Sequence, residues 1–300
     1  MAFPTLLHSV SYSGSWGQAR LTVDEFIDKA AELGFDGVML MAKRPHLSPL
    51  DCDAKQRSQL RRHLEKRGLS RICVAAYNNI TGDWEHRDVP HQEMQVHYLT
   101  ELARLTLEIG GDLLRIFTGY EIAGVNFAAQ WQHTVSVIKE CARRSADWGV
   151  TIGVQNHHDI AVGFESQYEL IRAVDEPNCK AMFDAWAPAL HGADVEAAAV
   201  KMAPIMCHTT VANYQRLPRY QYQPALTNYQ ELPPWMQAVP MDEGFIDYPR
   251  FLSALETGGF AGSISYEMCS PLRDGGGLKS LDRYALQFLE SIARFQGSFK

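Results

Sequence analysis

Four polar residues stand at the ends of four successive apolar runs: Gln155 in TIGVQNHHD, Asp184 in KAMFDAW, His208 in IMCHTTV and Glu267 in SISYEMC. An amide oxygen, two carboxylates and an imidazole suit one divalent ion, manganese first, with cobalt, magnesium or zinc as alternatives. Once loaded, such a site would be near neutral. His157 and His158 lie just beyond Gln155, and imidazole titrates close to neutral pH, so either can act as a general acid or base. Arg115 at the end of LLRIF and Asn78 after the third apolar run are placed to bind ligand hydroxyls or a carboxylate. So are His8 in LLHSVSYS, and Arg44 and His46 in AKRPHLSP. Trp186, two residues past Asp184, would supply an apolar wall.

The elements that must position these groups follow from hydrophobic periodicity. Eight short apolar runs read as buried strands, at about 6–10, 37–41, 71–77, 113–117, 151–155, 180–184, 205–209 and 262–268. Helical patterns separate them, which predicts an α/β chain with a parallel sheet closed into a (β/α)8 barrel, the TIM-barrel architecture. Strand-end residues would then converge on one rim. The first helix opens on a capping box, Thr22 with Glu25, carries Val23, Phe26, Ile27 and Ala30 on one face, and stops at Gly34. A second box is expected at Ser166 and Glu169. Later helices present stripes that read as core: Met94, Tyr98, Leu102, Leu105 and Ile109; Phe127, Trp131, Val135 and Ile138; and Leu281, Tyr284, Phe288, Ile292 and Phe295.

Two long connections break this rhythm. The segment 214–244, rich in Tyr, Gln and Pro without a clear period, follows the seventh strand and reads as a lid, a binding loop, or a contact to a second copy or a small partner subunit. The stretch 42–53 follows the second strand and offers Lys43, Arg44 and His46 to the same rim. The glycines at 275–277, with Arg273 and Lys279 nearby, could cradle a phosphate or form a plain loop. Nothing in the composition splits the chain, so one domain over residues 1–300 is expected.

Composition narrows the classes. Three hundred residues with 46% hydrophobic content can bury a large core, and a formal net charge of -7 disfavours nucleic acid or an anionic membrane as partner. The basic cluster 57–67 reads as a solvated helix face. No run approaches a membrane span and the amino terminus lacks the pattern of a signal peptide, so a cytoplasmic location is the default expectation. Six cysteines without CxxC spacing read as reduced core residues. Dinucleotide, P-loop and serine-hydrolase motifs are absent from the sequence.

The phrase AAELGFDGVMLM, the strand–helix alternation, and the order of Gln155, Asp184, His208 and Glu267 together resemble the xylose isomerase-like barrel superfamily. Its members include sugar phosphate isomerases and epimerases, with inosose dehydratase and tagatose epimerase relatives. The resemblance covers nearly the whole chain. It implies one divalent metal held by strand-end residues, and a carbohydrate or cyclitol substrate that loses a proton next to a carbonyl through a metal-stabilised enediolate. Gln155 departs from the glutamate usual at the first ligand position, and an amide cannot take up a proton as a carboxylate can. The resemblance therefore leaves Glu267 as the one metal-bound carboxylate base, and epimerisation by a pair of glutamates is disfavoured. His157 resembles a proton-transferring histidine of the lyase branch, which makes elimination, inosose dehydratase-like or from a 3-oxo-glycoside, the alternative to isomerisation or epimerisation. A non-catalytic sugar-binding barrel is a further alternative. Repair endonucleases of the same superfamily carry extra His and Glu ligands and a DNA-binding face, which the acidic balance here does not supply.

Overall fold

Local rules build the first unit of the barrel. In the computed structural model, which describes residues 3–86 and 88–297, β1 (Thr5–His8) leads to α1 (Val23–Leu33). Thr22 accepts from the Glu25 N–H while the Glu25 carboxylate accepts from the Thr22 N–H, so the expected capping box is formed. The helix buries Phe26, Ile27 and Ala30 and ends on Gly34, whose φ of 93° is one a side chain would resist. Thr22→Ala is expected to cost about 1 kcal/mol of stability, as is usual for a lost N-cap. Chemical denaturation would measure it, and an unchanged midpoint would show the box to be dispensable.

The remaining elements alternate as expected: β2 (Gly37–Met41), α2 (Ala54–Lys66), β3 (Arg71–Ala75), α3 (His91–Glu108), β4 (Leu113–Ile116), α4 (Phe127–Ala146), β5 (Thr151–Gln155), α5 (Phe164–Val174) and β6 (Cys179–Met182). After them come α6 (Trp186–Leu190), α7 (Val195–Met202), β7 (His208–Val211), the ribbon strands β8 (Asn213–Gln223) and β9 (Asn228–Val239), α8 (Tyr248–Thr257), β10 (Ser263–Tyr266) and α9 (Leu278–Gly297). Eight of the strands form one parallel sheet, in the order β6-β5-β4-β3-β2-β1-β10-β7. The Cys207 N–H donates to the Ala181 carbonyl at 3.0 Å and Ala181 bridges Met206, which brings β7 back to β6 and closes a (β/α)8 barrel.

Several expectations change. The helix around Ser166 has no capping box: its N-cap is Gly163, and the Ser166 hydroxyl donates to the Gly163 carbonyl instead. Met94 and Phe127 are exposed, because each lies in the first turn of its helix, where the apolar stripe has not yet turned onto the barrel. Arg57 does not belong to a solvated face. It is buried and bridges Glu101 at 2.6 Å and Glu108 at 2.7 Å, which ties α2 to α3.

The segment after the seventh strand is ordered as an antiparallel ribbon, β8 against β9, paired from Asn213 with Val239 out to Gln223 with Asn228. Its register slips between Leu217 and Arg219, around Pro218, which has no N–H to donate. Most of the ribbon is solvent-exposed on both faces, so it carries no alternation of apolar and polar residues to reveal it as strand. Asn213 fastens the base, its amide donating to the carbonyls of Met241 and Ile246 and accepting from the Ile246 N–H. Four cysteines are buried, Cys207 and Cys269 are partly exposed, and all six are free. Among the described residues no helix is long and apolar enough to cross a membrane.

Candidate active site

The barrel interior is layered, and the layering follows from the two-residue period of a strand. Leu6, Met39, Cys73, Ala75, Leu113 and Met182 point inward and form an apolar floor. Gly153 belongs to this level, where a Cβ would come within 2.4 Å of the Met182 sulfur. Two residues further along, the inward position becomes polar: Leu6 gives way to His8, Leu113 to Arg115, Gly153 to Gln155, Met182 to Asp184. Beside them Ser265 of β10 gives way to Glu267, one residue past the strand. A polar chamber thus sits on an apolar plug at the carboxyl-terminal end of the strands, where barrels of this type carry their sites.

Arg115 occupies the centre of that chamber. It is 2% exposed, its guanidinium lies 3.9 Å from the Phe117 ring and 5.0 Å from the Tyr77 ring, and its Nε has no hydrogen-bond partner. Its charge acts on His8, His157, His158, Asp184 and Glu267. Burial raises the Glu267 carboxyl to about 7, with Arg115 pulling it down and Asp184 pushing it up. Burial also raises Asp184 to about 6, against hydrogen bonds from the Gln155 amide at 2.9 Å and the Trp186 N–H at 3.0 Å. Both oxygens of Asp184 are therefore engaged by the protein. His8 accepts from the Val10 N–H on Nδ1, so a neutral ring carries its proton on Nε2, which faces the Glu267 Oε2 at 3.8 Å.

His157 and His158 lie in the chamber wall, but they are not poised near neutral pH. Burial lowers His157 to about 3, with further depression from His158 and Arg115, and lowers His158 to about 4, with Arg115 adding to the effect. The expectation that they titrate as bases is corrected accordingly. His157 Nδ1 accepts from the His158 N–H at 2.8 Å, which places the proton of the neutral ring on Nε2 and makes it a hydrogen-bond donor. His158 has a φ of 67°, strained for a residue with a side chain, and stacks on Tyr120 at 4.2 Å. Trp186 stands 6.2 Å from the His157 ring and 5.5 Å from Tyr214 at the ribbon base, and its indole Nε1 is buried without a partner.

His208 does not join Gln155, Asp184 and Glu267. It is the first residue of β7 and pairs with Ser263, while Glu267 comes four residues after Ser263, a rise of about 13 Å along a strand. Both ring nitrogens are committed, Nδ1 to the Ser263 hydroxyl at 2.7 Å and Nε2 to the Ser265 hydroxyl at 2.9 Å. Gln155 in turn presents its amide N–H, not a lone pair, to Asp184. Among the described residues no three His, Cys, Asp or Glu side chains come together as a group able to hold a metal ion. The four residues expected to bind an ion thus do not fit that role as a set, because β7 begins three residues later than its apolar pattern suggests.

Three of the expected substrate contacts are also placed elsewhere. Asn78 spends its amide on the Phe117 backbone, donating to the carbonyl at 2.7 Å and accepting from the N–H at 2.9 Å. Arg44 is exposed and forms a bidentate pair with Asp51, both bonds 2.6 Å. His46 is buried against Phe26 and contacts the Leu21 carbonyl at 3.1 Å. Arg273, beside the 275–277 glycines, is paired with Glu243 at 2.5 Å. The chamber instead uses Lys43, Tyr77, Phe117, Tyr214 and Cys269. Inward parity after the third and fourth strands is the signal that would have found Tyr77 and Phe117.

A closed parallel barrel with a polar chamber at its carboxyl-terminal rim defines the class. The chain belongs to the xylose isomerase-like TIM barrel family, whose model matches residues 27–292. Solved structures of similar fold include an L-ribulose 3-epimerase, with TM-score 0.75, 17% identity, and coverage of 99% of this chain and 95% of that one. A xylose isomerase-like TIM barrel protein from Mycobacterium smegmatis in complex with magnesium aligns with TM-score 0.66 and 15% identity over 97% of each chain. The probable 3-DHS dehydratase AsbF from Bacillus anthracis aligns with TM-score 0.68 and 17% identity, covering 96% of this chain and 97% of that one. No curated protein sequence matches the chain significantly.

Proposed function

We propose that this protein is a sugar isomerase or epimerase that removes a proton next to a carbonyl, with Glu267 as the base and Arg115 as the cation that stabilises the resulting enediolate. The observation that carries this reading is the presence, in one chamber, of a mostly buried carboxyl raised to about 7 and a buried guanidinium that has an unused N–H. A base with a pKa near working pH can both take and return a proton, and a preorganised cation in a water-poor chamber stabilises developing negative charge strongly. The His8 Nε2–H faces the Glu267 carboxylate at 3.8 Å. Phe117, Tyr77 and Trp186 wall the chamber against water. With Asp184 held on both oxygens, a single base serves one face of the substrate, which favours proton return to the neighbouring carbon and hence aldose–ketose isomerisation.

The orientation of His157 supports a second reading. Its Nε2–H is a neutral donor that could stabilise a departing oxygen, and the family neighbours include a dehydratase. On that reading the same enediolate expels a β-leaving group. Incubating ketoses, inososes and 3-oxo-glycosides in deuterated water tests both. Isomerisation exchanges carbon-bound hydrogen and conserves mass otherwise, whereas elimination releases water or an aglycone. If no candidate gains deuterium or loses a group, the proton-abstraction reading is wrong.

A further inference from the structure

The chamber holds more positive charge than it balances by contact. Lys43, an exposed residue of the rim after β2, places its ammonium 3.8 Å from the centroid of the Tyr77 ring, the same ring that lies 5.0 Å from the Arg115 guanidinium. Among the described residues neither cation has a carboxylate within ion-pair distance, although Arg44, Arg57, Arg61, Arg67 and Arg104 all do. The two cations repel, and partial desolvation at the mouth together with Arg115 depresses the Lys43 ammonium. Two like charges held on one aromatic ring, one of them fully buried with an unpartnered N–H, are an arrangement that a bound anion would relieve.

The geometry points to an anionic sugar as the substrate, its carboxylate or phosphate seated between Lys43 and Arg115 beside Tyr77. This rests on the proposed function only in taking the chamber as the substrate site. The guanidinium fork presents several N–H groups along different edges, so one edge can face the anion while another faces the reacting oxygen. Neutral partners line the remainder: the Trp186 indole N–H and the His157 Nε2–H suit hydroxyl groups.

Equilibrium binding tests this without requiring turnover. D-Glucuronate, D-fructose 6-phosphate and D-fructose would be titrated calorimetrically into the wild-type protein and into Lys43→Gln and Lys43→Arg. At least one of the two anions is expected to bind about tenfold tighter than D-fructose, with a preference that weakens as salt is raised. Preference for glucuronate alone assigns a carboxylate, and preference for the phosphate alone assigns a phosphoryl group. Lys43→Gln should lose most of that preference and Lys43→Arg should keep it. Equal affinity for all three sugars, or a preference that survives Lys43→Gln, would overturn the assignment. Anion binding without deuterium exchange would leave this inference standing and sink the proposed reaction instead.

Discussion

Glu267→Gln is expected to lower kcat/KM by about 10²- to 10⁴-fold, the range set by a positioned general base. The substitution keeps the size of the side chain and removes only its ability to take a proton, so the barrel should unfold at the same temperature. Because the base works as its carboxylate and burial lifts that group to about 7, wild-type kcat/KM should fall as pH drops below neutrality. The sign follows from protonation: below the pKa the base is occupied by its own proton. In Glu267→Gln the residual rate should lose this acid limb. A variant that keeps more than about a tenth of the activity, or that retains the limb, would remove Glu267 from the proton-transfer role.

Arg115→Met should cost about 10²- to 10³-fold in kcat, the loss typical when a preorganised donor to a developing oxyanion is removed. Methionine fills similar space beside Phe117 and Tyr77 without charge. Arg115 is the group that pulls the Glu267 carboxyl down, so its removal should shift the acid limb of the residual activity to higher pH. Replacing a buried charge that has no carboxylate in contact by an apolar group of similar volume should leave the melting temperature unchanged or raise it. A purely structural Arg115 would give the opposite pattern, with a lowered melting temperature and an unmoved pH limb. Arg115→Lys should not restore the rate, since an ammonium lacks the planar fork.

Much of the barrel was legible in the sequence because its signals are local. The expected ranges of the second and fifth strands coincide with β2 and β5 to the residue, and the capping box at Thr22 and Glu25 is formed, since a cap needs only four consecutive residues. Gln155 ends its strand on an inward position, and Glu267 and Asp184 reach the chamber because inward parity carries on for one or two residues past theirs. Arg115 stood out for the same reason, as a charge at an inward position of an otherwise apolar strand.

Other features depend on which segments meet, and no local pattern encodes that. His208 follows an apolar run just as the other strand-end residues do, yet pairing with β10 begins at His208 itself and leaves its ring between Ser263 and Ser265. Strand register is decided by packing across the barrel, and an offset of a few residues moves a side chain from the rim to the floor. Arg57 looked solvated until α3 placed Glu101 and Glu108 against it. The ribbon of β8 and β9 has hydrogen-bonded strands without a buried face, so periodicity could not reveal it. The amino-acid sequence by itself determined the strands, the helices and the inward parity that fills the chamber, because those follow from backbone geometry and the spacing of apolar residues. Only the tertiary structure decided which charges face one another across it. Arg115, and not a four-residue ion site, lies at the centre because register and burial are set by contacts between residues far apart in the chain.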